Sequence, residues 1–197
     1  MKDSKAIPNE FFNRPVLEIC PELLGHYLVV RLDDEEVRVE ITEIEAYDGP
    51  TDLACHASKG RTARTEVLYG SAGTWYVYLC YGVHWLLNIV TGSVGFPAAI
   101  LIRGAGNWKG PGILTRNLQI DKRFNEQSAN SSIGLWLEFR NDRSNDYAYE
   151  TSARIGVEYA GEWATKPYRF FKRVILGESN ILRSLSGSSL VVLCPSN

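Results

Sequence analysis

Long apolar runs, a leader and paired cysteines are all missing from this sequence. No apolar run approaches the length of about 18–20 residues that a membrane-spanning helix needs. Residues 1–12 lack the apolar stretch of a signal peptide, so we expect a cytoplasmic protein with no membrane partner. The four cysteines form no C-x-x-C pair, which argues against a zinc site or a disulfide framework and for reduced thiols.

The motifs of several large enzyme classes are missing as well. The chain has no G-x-G-x-x-G, no Walker loop, no H-E-x-x-H and no G-x-S-x-G. Nucleotide-cofactor enzymes, zinc metalloproteases and serine hydrolases therefore lack their usual sequence support.

A strong net charge is also absent, because 21 basic and 23 acidic residues leave a formal charge of −2. That total does not indicate a strongly basic nucleic-acid binder. The charges are unevenly distributed, however: residues 31–52 hold nine acids and two bases, a sum of −7, which leaves +5 for the rest. Either both regions are ordinary solvated faces, the more frequent case, or an acidic segment coexists with a mildly basic surface.

What the chain does have is the composition of one globular domain. Of its 197 residues, 45% are hydrophobic and 22% are charged. This length is sufficient for a sizeable core but short for two full domains. Runs rich in apolar and β-branched residues predict strands at residues 27–32, 37–42, 75–79, 84–90, 98–102, 135–139, 154–157 and 190–193. A Gly-Pro junction predicts a helix at residues 111–118. We therefore predict an α+β domain around an antiparallel sheet.

One predicted strand has an irregular pattern. Val37, Val39 and Ile41 alternate with polar residues, and continuing this alternation puts Glu43 and Glu45 on the apolar face. Either a β-bulge resets the phase or a carboxylate points toward the apolar side. Glu45 is then either a solvated acid or a carboxylate facing a cleft, where burial raises its pKa and suits general acid-base catalysis.

A predicted hairpin at residues 73–90 carries aromatic side chains close to its turn at Tyr81 and Gly82. Such aromatics usually pack across the two strands, and this is the more frequent case. A bulky side chain beside a tight turn is also where a protein places a wedge for a DNA base stack. The residues alone leave both interpretations open.

Several blocks of the chain, in order, resemble the alkyladenine (3-methyladenine) DNA glycosylase family. Residues 45–56 match the pattern E-A-Y-x-G-P-x-D-x-A-x-H, and residues 73–84 are followed by Asn88 at the expected distance. Further blocks lie at residues 99–103, 110–114, 154–157 and 160–167. Ordered blocks that cover most of a domain are far more specific than a single motif.

The resemblance implies a monofunctional DNA-repair enzyme that flips damaged purines out of duplex DNA and hydrolyses the N-glycosidic bond. The expected lesions are 3-methyladenine, 7-methylguanine, hypoxanthine and ethenoadenine. We expect no metal or other cofactor, a monomer whose partner is duplex DNA containing damaged purines, and a location at the bacterial nucleoid. The expected fold is one DNA glycosylase domain over residues 1–197, with helices around a curved antiparallel β-sheet and a protruding β-hairpin.

The resemblance also assigns roles to individual residues. Glu45 is expected to activate the attacking water as general base, and Arg103 to bind near the sugar-phosphate and that water. Asn88 is expected to discriminate against the exocyclic amino group of guanine. The expected base pocket comprises Tyr47, Ala54, His56, Tyr78 and Asn88.

Two further roles concern the DNA itself. Tyr81 is expected to intercalate and fill the vacated stack. Contacts to the DNA backbone are expected from Arg61, Arg64, Arg116 and Lys166.

The sequence departs from the family's pattern at three places. Ile113 stands where members often have Lys, Thr65 where they usually have Asn, and residues 104–107 where an acid-proline pair is common. These departures concern DNA affinity and the edge of the pocket. Two other functions stay open: a catalytically weak protein that binds lesion DNA, and a nucleosidase of free nucleosides, which needs no wedge at Tyr81.

Overall fold

Alternating apolar residues build a sheet that dominates the structure. The computed structural model describes residues 6–141 and 148–173. The strands of these residues are β1 (Tyr27–Leu32), β2 (Glu35–Asp48), β3 (Trp75–Cys80), β4 (His84–Thr91), β5 (Ala98–Ala105), β6 (Trp108–Lys109), β7 (Leu135–Glu138), β8 (Tyr149–Ser152) and β9 (Arg169–Lys172). The α-helices of the same residues are α1 (Val16–Leu23) and α2 (Pro111–Asn117). Short 3₁₀ segments lie at Asn9–Phe12, His56–Lys59, Glu66–Tyr69, Lys122–Phe124, Ser131–Ile133 and Glu158–Thr165.

The predicted α+β class with one antiparallel sheet is confirmed. Within the described residues, nine strands form a single sheet, whose main order is β3, β4, β5, β2, β1 and β7. β6 pairs with β5, and β9 pairs with both β2 and β8. No helix in this part of the chain is long and apolar enough to cross a membrane. That residues 1–197 form one domain stays a prediction, and the strand predicted at residues 190–193 lies outside the described residues.

The sheet curves strongly, and Trp75 shows how far. β3 and β7 lie at opposite ends of the main strand order. Nevertheless, the indole N–H of Trp75 in β3 donates a hydrogen bond to the carbonyl oxygen of Leu135 in β7 at 3.1 Å. Trp75 is completely buried, and Ile19 of α1 and Leu114 of α2 belong to the same core cluster. Both helices therefore contribute to the core around which the sheet bends.

β2 is the longest strand and changes partners half-way along. Its first half pairs with β1, whereas its second half pairs with β5 and β9. Register shifts between Ile41 and Ile44 mark a β-bulge at this change. Ile41 and Ile44 both lie in the core, so the bulge resets the alternation and turns Glu43 and Glu45 to the other face. The bulge is thus the correct explanation of the irregular pattern.

β3 and β4 form the predicted hairpin, and its turn is tight. Cys80 pairs with His84, and the N–H of Val83 donates to the carbonyl oxygen of Cys80 at 3.0 Å. Tyr81 and Gly82 both have positive φ, 50° and 71°, as a type I′ turn requires. Glycine adopts this conformation freely and a tyrosine rarely does. The turn therefore holds Tyr81 in a strained backbone conformation.

The strand predicted at residues 154–157 is wrong. The segment is irregular, because its backbone serves another partner: the N–H of Ile155 donates to Oε1 of Glu45 at 2.8 Å. Gly156 follows with a φ of 77°, which a strand does not accommodate. The strand nearest in sequence is β8, which ends at Ser152.

A buried ion pair between Arg154 and Asp52 holds this irregular backbone. The guanidinium donates to the two Asp52 carboxylate oxygens at 2.5 and 2.8 Å, and both side chains are completely buried. Asp52 also accepts the backbone N–H groups of Asp48 and Ala54, each at 3.0 Å. Arg154 also donates to the carbonyl oxygen of Ala46 at 2.8 Å. The pair thus ties the end of β2 to the irregular segments that follow β2 and β8.

We expect Asp52→Asn to lower the free energy of unfolding by about 3–5 kcal/mol, because it leaves the buried charge of Arg154 without its counter-ion. The matched control is Glu22→Gln, which removes a carboxylate from a surface pair with Arg14, 2.7 Å apart, in which half of the Glu22 side chain is exposed. The control should cost no more than about 1 kcal/mol. Urea unfolding of both variants measures the difference. A loss in Asp52→Asn as small as that in the control would show that the pair does not hold these segments.

Candidate active site

A cavity of about 420 Å³ lies on the face of the sheet to which the bulge turns Glu45 and Tyr47, and it gathers residues from distant parts of the chain. Among the residues that line it are Tyr47, Ala54, His56, Arg64, Tyr78, Tyr81, Asn88 and Arg103. The structure thus brings together all five residues predicted for the base pocket, the predicted catalytic Arg103, the predicted wedge and one predicted backbone contact. The other predicted site residues do not line this cavity: Glu45, Arg61, Arg116 and Lys166. Their roles stay predictions at this point.

Glu45 is completely buried and does not itself line the cavity, but it contacts three residues that do, Tyr47, Arg103 and Ile155. The Tyr47 hydroxyl donates to its Oε2 at 2.9 Å, the N–H of Ile155 donates to its Oε1 at 2.8 Å, and Arg103 Nη1 lies 3.4 Å from Oε1. Burial raises the pKa of the Glu45 carboxyl above its ordinary value, although Arg103, the Ile155 N–H and the Tyr47 hydroxyl oppose the shift. A carboxylate with a raised pKa is the better proton acceptor near neutral pH.

One wall of the cavity is a cluster of aromatic rings. The ring centroid of His56 lies 4.7 Å from that of Tyr78 and 6.1 Å from that of Tyr76, and His56 Nδ1 is 2.9 Å from the Tyr76 hydroxyl oxygen. Burial, followed by the positive charges of Arg64 and Lys59, lowers the pKa of His56 to about 4. The imidazole is therefore neutral at neutral pH, and the wall offers uncharged rings to a ligand.

Asn88 is fixed by the backbone of its own hairpin. Its side-chain amide nitrogen donates to the carbonyl oxygens of Tyr76 at 3.1 Å and Leu86 at 3.4 Å, and the residue is buried. The amide group therefore has one orientation, in which the oxygen is the atom that can meet a bound base.

Tyr81 stands at the edge of the cavity and is almost fully solvent-exposed, at 96%. Its neighbour Val83 in the same turn is 68% exposed. Within the described residues this aromatic side chain at a hairpin turn is left almost without packing contacts, as expected of a side chain that inserts between bases. Cross-strand packing, the more frequent role of hairpin aromatics, does not apply to Tyr81.

The four bases predicted to contact the DNA backbone lie in different environments. The Arg64 guanidinium stacks over the ring of Tyr78, 4.7 Å from its centroid. Arg61 forms a surface ion pair with Glu66. Arg116 is exposed on α2, and Lys166 Nζ lies 3.3 Å from the ring centroid of Trp163. Since its charge is already paired, Arg61 is the weakest of the four candidates.

Each departure from the family's pattern has a place in the structure. Thr65 is buried, and its hydroxyl accepts the N–H of Thr62 at 2.8 Å. Gly106 and Asn107 form the turn between β5 and β6, where Ala105 pairs with Trp108. Ile113 is half-exposed on α2.

Sequence reasoning assigned no role to several residues of the site. Asp52 and Arg154 both lie inside the motif blocks. The presence of an acid and an arginine in these blocks is the only sequence signal that could have indicated a buried ion pair. Tyr76 belongs to the aromatic wall, but nothing distinguishes it from other strand tyrosines. Tyr159 lines the cavity, and its hydroxyl lies 3.4 Å from the carbonyl oxygen of Ala54; no sequence signal marks it.

Comparisons with known proteins agree with the motifs. A family model described as Methylpurine-DNA glycosylase (MPG) matches residues 10–107 and 106–174. A curated protein of Legionella pneumophila (strain Corby) is 40% identical over 85% of this chain and 94% of its own length. One of Methanocella arvoryzae is 38% identical over 85% of this chain and 92% of its own length. One of Wolbachia pipientis subsp. Culex pipiens is 45% identical over 81% of this chain and 87% of its own length.

All three relatives carry the printed name "Putative 3-methyladenine DNA glycosylase". The family model covers most of the chain, and the similarity to these relatives extends over nearly their whole length. The chain therefore belongs to the methylpurine-DNA glycosylase family and is a DNA glycosylase.

Proposed function

We propose that the protein is a monofunctional base-excision enzyme that flips damaged purines out of duplex DNA and hydrolyses their N-glycosidic bond with a water activated by Glu45. The proposed substrates are alkylated or deaminated purines: 3-methyladenine, 7-methylguanine, hypoxanthine and ethenoadenine. The observation that carries this proposal is the buried Glu45 carboxylate, 3.4 Å from Arg103 and in contact with Tyr47 and Ile155, all three of which line a cavity walled by aromatic rings.

The cavity suits a flipped purine in size, and its aromatic wall is uncharged. Its volume of about 420 Å³ lies within the range of small-ligand pockets. Purines alkylated at N3 or N7 carry a positive charge, which a protonated histidine in the wall would repel. Because the pKa of His56 is about 4, the wall instead contacts the base with neutral rings. Stacking of a base on aromatic side chains is worth about 1–3 kcal/mol.

The surroundings of Glu45 support its proposed role as the general base. In the proposed step its carboxylate takes a proton from the water while the water oxygen bonds to C1′ of the deoxyribose. The bond between C1′ and the purine nitrogen breaks, and its electron pair leaves with the base. Oε1 already accepts the N–H of Ile155 at 2.8 Å. Its contact with Arg103 at 3.4 Å is longer than a strong charge-assisted hydrogen bond, so we infer that the second lone pair of Oε1 can accept from a water.

Tyr81 supports duplex DNA as the substrate. A flipped nucleotide leaves a gap in the stack, and an exposed aromatic tip can fill it. A nucleosidase of free nucleosides has no use for such a tip. The catalytically weak lesion binder is disfavoured because Asn88 and Arg103 line one cavity and Glu45 contacts Arg103, 3.4 Å away. We propose further that the protein acts as a monomer, without cofactor, on damaged chromosomal DNA at the nucleoid.

Glu45→Gln tests the general base. We expect the single-turnover rate of base release from a lesion duplex to fall by at least about 10²-fold, because an amide cannot take the proton. Binding of the same duplex, measured by gel shift, should change little. Glu40→Gln on the same strand is the control, since Glu40 pairs with Arg140 and Lys172. Undiminished release by Glu45→Gln would place the base elsewhere, and binding without release by the wild type would favour the catalytically weak alternative.

Tyr81→Ser tests the wedge. We expect excision from a fully paired duplex to fall about tenfold or more, whereas excision of the same lesion from a single strand, which has little stacking to break, should be nearly unchanged. Val83→Ser in the same turn is the control, since Val83 is exposed but is not aromatic. Equal rates of wild type and Tyr81→Ser on the duplex would contradict the proposed intercalation and favour action on free nucleosides.

A further inference from the structure

We propose that Glu43 is a positioning residue: it anchors Arg103 through Nε, so that Arg103 reaches Glu45 with one nitrogen only and leaves the Glu45 carboxylate able to accept a proton. The inference rests on the role proposed for Glu45. Neither the motif blocks nor the family comparisons assign any role to Glu43.

Glu43 stands between two guanidinium groups. Its Oε1 accepts hydrogen bonds from Nε of Arg103 at 2.9 Å and from Nε of Arg169 at 2.6 Å. Arg169 is itself held by its Nη1, which donates to the Ser152 hydroxyl at 3.1 Å. The side chains of Glu43 and Arg103 are largely buried, at 15% and 12% exposure. The carboxylate therefore joins β2 to β5 and β9 at a place with little access to water.

The bulge in β2 and the glycine opposite make this position possible. Because the bulge resets the alternation, Glu43 and Glu45 project from the same face of the sheet, two residues apart along the strand. Glu43 pairs across the sheet with Gly104 of β5. A Cβ on Gly104 would lie 3.3 Å from the Cβ of Glu43, tighter than ordinary contact. Gly104 thus leaves space for the Glu43 side chain.

The anchor determines how Arg103 meets Glu45. A guanidinium is a planar fork that pairs with a carboxylate through two parallel hydrogen bonds when it can. Here Nε is committed to Glu43, and only Nη1 approaches Glu45, at 3.4 Å. A full pair with Arg103 would stabilise the ionised form of Glu45 and make it a weaker base. Glu43 prevents that pairing while keeping the positive charge close to the reacting centre.

The charged and titratable groups around Glu45 determine how its pKa changes when Glu43 is substituted. Glu43 and Tyr47 lie on the same strand, Arg103 on β5, Arg169 on β9 in register with Glu45, and Arg154 on the segment after β8. Removing the negative charge of Glu43 takes away a repulsion and frees Arg103 to pair with Glu45. Both changes favour the ionised carboxylate, so they lower the pKa of Glu45 and move the acid limb of the rate profile to lower pH.

Glu43→Gln is the test variant and Glu40→Gln is the matched control. Glu40 lies on the same strand and also pairs with two cations, Arg140 at 3.0 Å and Lys172 at 3.1 Å, but it is on the other side of the bulge from Glu45. We expect Glu43→Gln to reduce the single-turnover excision rate by about ten- to hundredfold, with a nearly unchanged dissociation constant for the lesion duplex. Its acid limb should lie at lower pH than that of the wild type.

Glu43→Asp distinguishes the effect of the negative charge from the effect of side-chain length. It also serves as the test variant if Glu43→Gln does not fold. It keeps the negative charge but loosens the anchor of Arg103, so its acid limb should lie between those of the wild type and Glu43→Gln, while the shorter side chain lowers the rate. Wild-type rates and pH profiles in both Glu43 variants would overturn the proposal, and so would an equal loss in Glu40→Gln. A wild type that releases no base is a separate result, which contradicts the proposed function and not the position of Arg103.

Discussion

The buried ion pair between Asp52 and Arg154 is the interaction on which the site depends. Two charged side chains without exposed surface persist in a protein only when they are paired and hydrogen-bonded. Here the bonds go to each other and to backbone groups of three segments. Two segments without regular secondary structure therefore have defined positions, and one of them delivers the N–H of Ile155 to Glu45.

The cavity combines an aromatic wall with charged groups: the guanidinium groups of Arg64 and Arg103 line it, and the Glu45 carboxylate contacts Arg103. Around this carboxylate, carboxylates and guanidinium groups alternate, so that each buried charge has a counter-ion close by. The wall holds the rings of Tyr47, Tyr76 and Tyr78 and an imidazole that burial keeps neutral. Charges interact strongly in a medium of low dielectric constant, so the buried carboxylates and guanidinium groups influence one another strongly, whereas the neighbouring rings carry no charge.

Local pattern was sufficient for most of the sheet. Strands, the hairpin and the start of α2 follow from alternation, turn residues and a Gly-Pro junction, all of which involve residues close in sequence. The segment at residues 154–157 was predicted as a strand because it is short and apolar, but Arg154 and the N–H of Ile155 satisfy buried carboxylates instead of a neighbouring strand. The need to pair buried charges that are distant in sequence therefore outweighed the local preference for a strand.

The sequence by itself determined the α+β class, the family and the set of residues that meet in the cavity, because motif blocks and a period of two are legible without contacts. Only the tertiary structure decided which way Glu45 faces, which atoms of Arg103 it meets, and that Asp52 pairs with Arg154. The physical reason is distance along the chain. The bulge that turns Glu45 is defined by pairing with β5 and β9, and Asp52 and Arg154 are 102 residues apart. Such pairs form because buried charges must be neutralised in the folded protein, and no local sequence pattern indicates which residues will pair.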